Sequence, residues 1–183
     1  MKKIFLSILA FLLLSSCFGR GGDLFQGETG LVGVEKDDFS LSLPVNWQEV
    51  FDHELTTPSQ GEIVLAYRAE QVREGYYNNI VILKNQNRLQ ETDIALMNNN
   101  INTLKLSMQS FDIITEDTLN FGRDSQGNVI VFKGQYGLQT PTLHYIQTAK
   151  SCGEESFFLT ISIGSDLVDY TRYYPLLESF RCK

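Results

Sequence analysis

The stretch Phe39-Ser40-Leu41-Ser42-Leu43-Pro44-Val45-Asn46-Trp47, "FSLSLPVNW", alternates apolar and polar residues and then stops. Phe39, Leu41 and Leu43 fall on one face of an extended chain and Ser40 and Ser42 on the other, which is the period of a half-buried β-strand. Pro44 cannot donate to a strand ladder, so it ends the run. Trp47 follows as the single tryptophan and reads as a core plug.

The same period recurs along the chain. Strands are expected over Glu62–Arg68 ("EIVLAYR"), Asn79–Lys84 ("NIVILK"), Ile113–Phe121, Val129–Tyr136, Leu143–Lys150 and Ser156–Ile163. "GRDSQGN", Gly122–Asn128, has the composition of a turn joining two of them. This succession reads as an antiparallel meander.

Two segments switch to helical spacing. Ile94, Met97, Ile101, Leu104 and Met108 make one apolar stripe, with Asn98, Asn99, Asn102 and Lys105 on the opposite face. Leu167, Tyr170, Tyr174 and Leu177 make a second over a helix expected from Asp166 to Ser179, with Asp166 and Asp169 in its first turn and Ser165 in its N-cap region. An α+β fold, an antiparallel sheet flanked by helices, buries all of these faces.

"FSLSLPVNW", two apolar strands, an amphipathic helix, further strands and a last helix ending "LLESFR", Leu176–Arg181, together resemble the PsbP-like and DcrB-like families. The resemblance runs from about Val34 to Arg181 and implies an antiparallel sheet between helices, an α/β/α sandwich whose bacterial members are often lipoproteins. It carries over no functional residue, and it does not imply photosystem binding.

The N-terminus states an address. Met1-Lys2-Lys3 is followed by an apolar run from Ile4 to Leu14, broken only by Ser7. That is about half the roughly 20 residues that a membrane-spanning helix needs, so it reads as an export signal. Leu14-Ser15-Ser16-Cys17 looks like a bacterial lipobox. Signals of that kind are cut before the cysteine, so residues 1–16 are expected to be removed and Cys17 to carry the lipid. Phe18 rather than Asp in the second mature position points, in a two-membrane cell, to the outer membrane. Residues 17–30, rich in glycine through "FGRGGDLFQGETG", then read as a flexible tether and residues 31–183 as one domain.

Charge narrows the partners. The net charge of −7 becomes −9 once Lys2 and Lys3 leave with the signal. A domain so acidic is repelled by phosphate backbones, which excludes nucleic acid, and by anionic headgroups, so the lipid must hold it at the membrane. With Cys17 lipidated, Cys152 and Cys182 remain as a pair, and an exported domain is where a disulfide persists. The strand before Gly164 and the expected helix after it are of similar length. The chain therefore returns Cys182 to the neighbourhood of Cys152, closing a span of 30 residues.

Catalytic signals are lacking. The two histidines, His53 in a polar loop and His144 in a strand, have no partners at metal-ligand spacing. No Gly-x-Ser-x-Gly or phosphate-binding glycine loop occurs. The carboxylate pairs Asp37-Asp38, Glu116-Asp117 and Glu154-Glu155 read as solvated strand ends and turns. Tyr76 and Tyr77, beside Gly75, are the candidate contact residues: they either pack under the sheet or meet a partner. The expected function is that of an envelope lipoprotein with a non-catalytic binding or assembly domain, without a cofactor. A small-ligand- or ion-binding protein is the alternative.

Overall fold

A computed structural model of the chain describes residues 30–51, 61–73, 75–122, 125–164 and 169–183. The export signal, Cys17, the tether up to residue 29, His53, Ser165, Asp166 and Leu167 lie outside the described residues. Among the described residues no helix is long and apolar enough to cross a membrane.

Among the described residues ten strands form two antiparallel sheets. The larger contains, in spatial order, β3 (Trp47–Glu49), β4 (Glu62–Arg73), β5 (Tyr76–Gln86), β9 (Glu155–Ile163), β8 (Leu143–Cys152), β7 (Gln126–Gln135) and β6 (Ser110–Asn120). The smaller contains β1 (Leu31–Glu35), β2 (Phe39–Pro44) and β10 (Arg181–Cys182). The expected α+β class holds, with a correction to the connectivity. One meander becomes two, β3-β4-β5 and β6-β7-β8-β9, joined where β5 pairs with β9 at Ile82↔Leu159 and Lys84↔Phe157.

Between the two meanders runs α1 (Asp93–Ser107), which packs on β6, β7 and β8. Thr92 begins it by accepting a hydrogen bond from Ala95 N–H, and Asp93 meets the helix dipole in its first turn. Met97, Ile101 and Leu104 are buried as the stripe requires. Ile94 is not: it is exposed, and Leu96 takes its place.

The opposite face is covered by the small sheet and the C-terminal helical segment. Phe39, Leu41 and Leu43 point inward, and Phe39 forms a ring triad with Phe157 and Phe180 at centroid separations of 5.2 to 5.4 Å. Trp47 is buried in this core.

The expected long second helix is corrected. Helical backbone among residues 169–183 consists of a 3₁₀ turn, Tyr170–Tyr173, and a short α2, Tyr174–Glu178. Pro175 lies in the first turn of α2 and has no N–H for a helix arriving from upstream, so a new helix starts there. A 3₁₀ turn advances three residues per turn, which shifts the buried set to Tyr173, Leu176, Leu177 and Phe180.

The ladders also define two ends. At the upper end lie the β4–β5 turn at Gly75, the β2–β3 turn, where Glu70 N–H donates to Asn46, and the C-terminus of α1, where Gln109 N–H donates to Gln135. At the lower end lie Lys84, Asp38, the β8–β9 turn and the start of α1.

Candidate functional site

Alternation along β5 sends Asn78, Ile80 and Ile82 into the core beneath the small sheet, and Tyr77, Asn79 and Val81 to the face that α1 shares. Because α1 sits over β6–β8, the β4–β5 part of that face is left without a helix among the described residues. A cleft of about 290 Å³ opens there, lined by Val50, Ala66, Arg68, Tyr76, Tyr77 and Val81, with Tyr67 and Asn79 beside them.

Its walls come from cross-strand neighbours. Ala66 faces Val81, Arg68 faces Asn79, and Val72 faces Tyr77 across the ladder. Gly75 turns the chain with φ of +80°, a conformation open to glycine, and so delivers both tyrosines to the start of β5. Tyr76 is half-buried and its hydroxyl accepts from Asn79 Nδ2 at 2.7 Å. Tyr77 is exposed, and the Arg68 guanidinium lies 5.4 Å over its ring, a cation–π contact. Burial, then the Glu49 carboxylate, raises the Tyr67 phenol above its ordinary range. The two tyrosines singled out in sequence are therefore brought together in one cleft, Tyr76 half-buried and Tyr77 exposed. Val50, Arg68 and Asn79 are additions. Only Asn79 had a signal, the second face of β5, where Tyr77, Asn79 and Val81 alternate with the core residues.

This lining holds phenols, an amide and a guanidinium, which bind and orient. Among the described residues it holds no carboxylate, thiol or imidazole. A second cleft, of about 610 Å³, lies at the lower end and is bordered by Glu62, Lys84, Gln86 and Glu155. Lys84 Nζ is 2.5 Å from Asp38 and 2.6 Å from Glu155, and these hydrogen bonds push it up to about 12. Lys84 thus joins the small sheet to the large one. Asp38 and Glu155, expected as merely solvated, are its partners.

Two other groupings invite a catalytic reading and do not sustain it. Lys150 Nζ lies 2.6 Å from Ser125 Oγ and 2.7 Å from Asp93 Oδ2, which superficially resembles a serine–lysine pair. Lys150 is engaged there as a donor to both, and Asp93 also accepts from Ser151 N–H at 2.7 Å, so the cluster ties α1 to β8. His144, expected at the sheet surface or half-buried, is instead buried, its ring 5.8 Å from that of Tyr170 on the segment that covers it. Among the described residues no group of three His, Cys, Asp or Glu side chains could hold a metal ion.

Cys152 and Cys182 form a disulfide, with Cα atoms 5.7 Å apart. The route differs from the returning helix expected in sequence. β10 pairs with β2, Cys182 opposite Phe39, and this strand addition carries the thiol to the lower end where β8 finishes.

No protein-family model and no curated protein matches the sequence. Solved structures share its fold. Cyanobacterial PsbP (CyanoP) from Synechocystis sp. PCC 6803 is 11% identical with a TM-score of 0.58, covering 93% of this chain and 99% of that one. PA94 from Pseudomonas aeruginosa, a protein of unknown function, is 9% identical with a TM-score of 0.51, covering 81% of this chain and 91% of its own. A protein from Bacteroides thetaiotaomicron VPI-5482 is 12% identical with a TM-score of 0.50, covering 79% of this chain and 45% of its own. The fold is PsbP-like, and at these identities the likeness is one of fold alone.

Proposed function

We propose that this chain is a lipid-anchored envelope protein whose PsbP-like domain holds a partner protein through the Tyr76–Tyr77 cleft and performs no catalysis. The supporting observation is the cleft itself. Among the described residues the β4–β5 part of the sheet face is left open beside α1, and its lining offers an exposed aromatic ring, an arginine stacked on it and apolar floor residues, the composition that concentrates binding energy in protein interfaces. The lipobox at Leu14–Cys17 supports the anchor.

A photoreactive amino acid at Tyr77, activated in intact cells, tests the reading. A discrete adduct is expected, lost when Val81→Asp is added, and absent when the same group stands at Leu89 at the other end of the sheet. No adduct at Tyr77, or an identical pattern from Leu89, would sink the proposal. The alternative, a small ligand, uses the same cleft. At about 290 Å³ it approaches the volume of small-molecule sites, with the Tyr76 hydroxyl, Asn79 and Arg68 as polar contacts. Native mass spectrometry of protein purified from its own cells separates the two, since a retained small mass abolished by Tyr76→Ala belongs to the ligand reading.

A further inference from the structure

Exposed apolar side chains are ordinary when scattered, but here they gather. Leu31 and Val45 meet where β1 begins and β2 ends, and Val72 closes the β4 ladder at the same level. Leu106 in the last turn of α1 and Leu138 in the β7–β8 link complete the upper end. The first three are about half exposed, Leu138 is 82% and Leu106 is 89% exposed. At the lower end stand Leu89, 85% exposed, and Ile94, 49% exposed in the first turn of α1, fewer than at the upper end. At the lower end Asp37, Asp38, Glu154 and Glu155 stand with Lys84, which pairs with Asp38 and Glu155. The upper end mixes Glu70 and Asp169 with Lys105 and Arg172.

We infer that the domain stands end-on against a lipid bilayer, its upper end at the headgroups and its strands upright. The inference rests on the reading of Cys17 as the lipid anchor. Gly30, the first described residue after the tether, accepts a hydrogen bond from Val45 N–H at 3.2 Å, so the tether enters the domain at the apolar end. Only 12 residues separate Gly30 from Cys17. A coil of that length spans about 20 Å. The 12 residues of β4 measure about 40 Å. The tether therefore keeps the upper end near the headgroups. The lower-end carboxylates stand several Debye lengths away, at about 8 Å each, where their repulsion from anionic lipid is screened. In this pose the Tyr76–Tyr77 cleft opens close above the bilayer, so what it holds is itself at the membrane.

The test uses the full-length lipidated protein in phosphatidylcholine vesicles that carry a carbene-generating group on the acyl chains, with labelled residues mapped by mass spectrometry. Leu31, Val45 and Leu138 are expected to be labelled at least about fivefold more than Leu89 and Ile94. Leu89 is the stringent control, since it is more exposed than Leu31 and random collision would favour it. Leu31→Asp combined with Val45→Asp, both at the surface, is expected to lower labelling at Val72 by about threefold while the lipid mass on Cys17 stays. Equal labelling of the two ends, or labelling dominated by Leu89 and Ile94, would overturn the orientation while leaving the anchor intact. A chain that carries no lipid at Cys17 would overturn both.

Discussion

Asp93 and Lys150 meet across 57 residues of sequence, Oδ2 to Nζ at 2.7 Å, with only 12% and 15% of their side chains exposed. The contact fixes the start of α1 to the end of β8, and the remaining Asp93 oxygen takes the Ser151 N–H. Asp93→Asn keeps an oxygen for that N–H but leaves the lysine without its counter-charge. A loss of about 2 kcal/mol is expected, read as a lower urea midpoint at unchanged slope. Adding Lys150→Met should cost less than the two changes made separately, because the stranded charge is then gone. Additive losses would show that the pair is not coupled.

Reduction should weaken the fold through Cys152–Cys182. Closing a loop with a sequence separation of 30 contributes about 3 to 4 kcal/mol on chain-entropy grounds. Unfolding with and without reductant measures it, and a thiol count under denaturing conditions should find both cysteines blocked before reduction. An unchanged midpoint would place the stability elsewhere.

Alkali should release the Lys84 clasp. Hydrogen bonds to Asp38 and then to Glu155 raise its folded-state value from the ordinary 10.5 to about 12. A raised value means that the folded state holds the proton more tightly. The stabilisation is complete below pH 10.5 and disappears as the pH climbs through about 12. Tyr136 and Tyr145, raised by burial, titrate with the same sign, so the comparison is with Lys84→Met. That variant should show a shallower loss of stability across the window. Parallel curves would remove Lys84 from the account.

Gly61 cannot carry a side chain. Its φ is +74°, and an added Cβ would strike Asn85 Oδ1 and lie 2.6 Å from the Lys84 carbonyl oxygen. Gly61→Ala should destabilise by about 2 kcal/mol. Gly33→Ala, which meets nothing within 4 Å, is the matched control. Equal effects at the two positions would show that the close approach is tolerated.

Lipidation is tested in cells. Cys17→Ala should abolish incorporation of a palmitate analogue and move the protein from the membrane to the soluble fraction. A variant that remains labelled and membrane-bound would dismiss the lipobox.

What the sequence disclosed followed the length over which a pattern persists. Phe39, Leu41 and Leu43 point inward as their alternation says, and Met97, Ile101 and Leu104 as their spacing says. β3 and β10 have three and two residues, too few to show any period. The division of the second helix was written in Pro175, whose effect on an incoming helix is local and legible. The pairing of β5 with β9 was not, because ladder partners so distant leave no trace in either strand alone. Gly75 before two tyrosines marked the cleft. Arg68 could not be placed there without the register that brings β4 beside β5.

The junction of β5 and β9 also governs how the molecule comes into being. During synthesis β3, β4 and β5 emerge long before β9 exists, and β5 is an 11-residue strand carrying Ile80, Val81, Ile82 and Leu83. Until β9 arrives, that strand is a hydrophobic edge with unsatisfied backbone donors and acceptors, a template for pairing with another chain. Contacts so remote in sequence close slowly, because the entropy of the intervening loop must be overcome before any of them forms. Pairing with β9 therefore does more than extend the sheet: it closes the exposed edge that β5 presents during assembly.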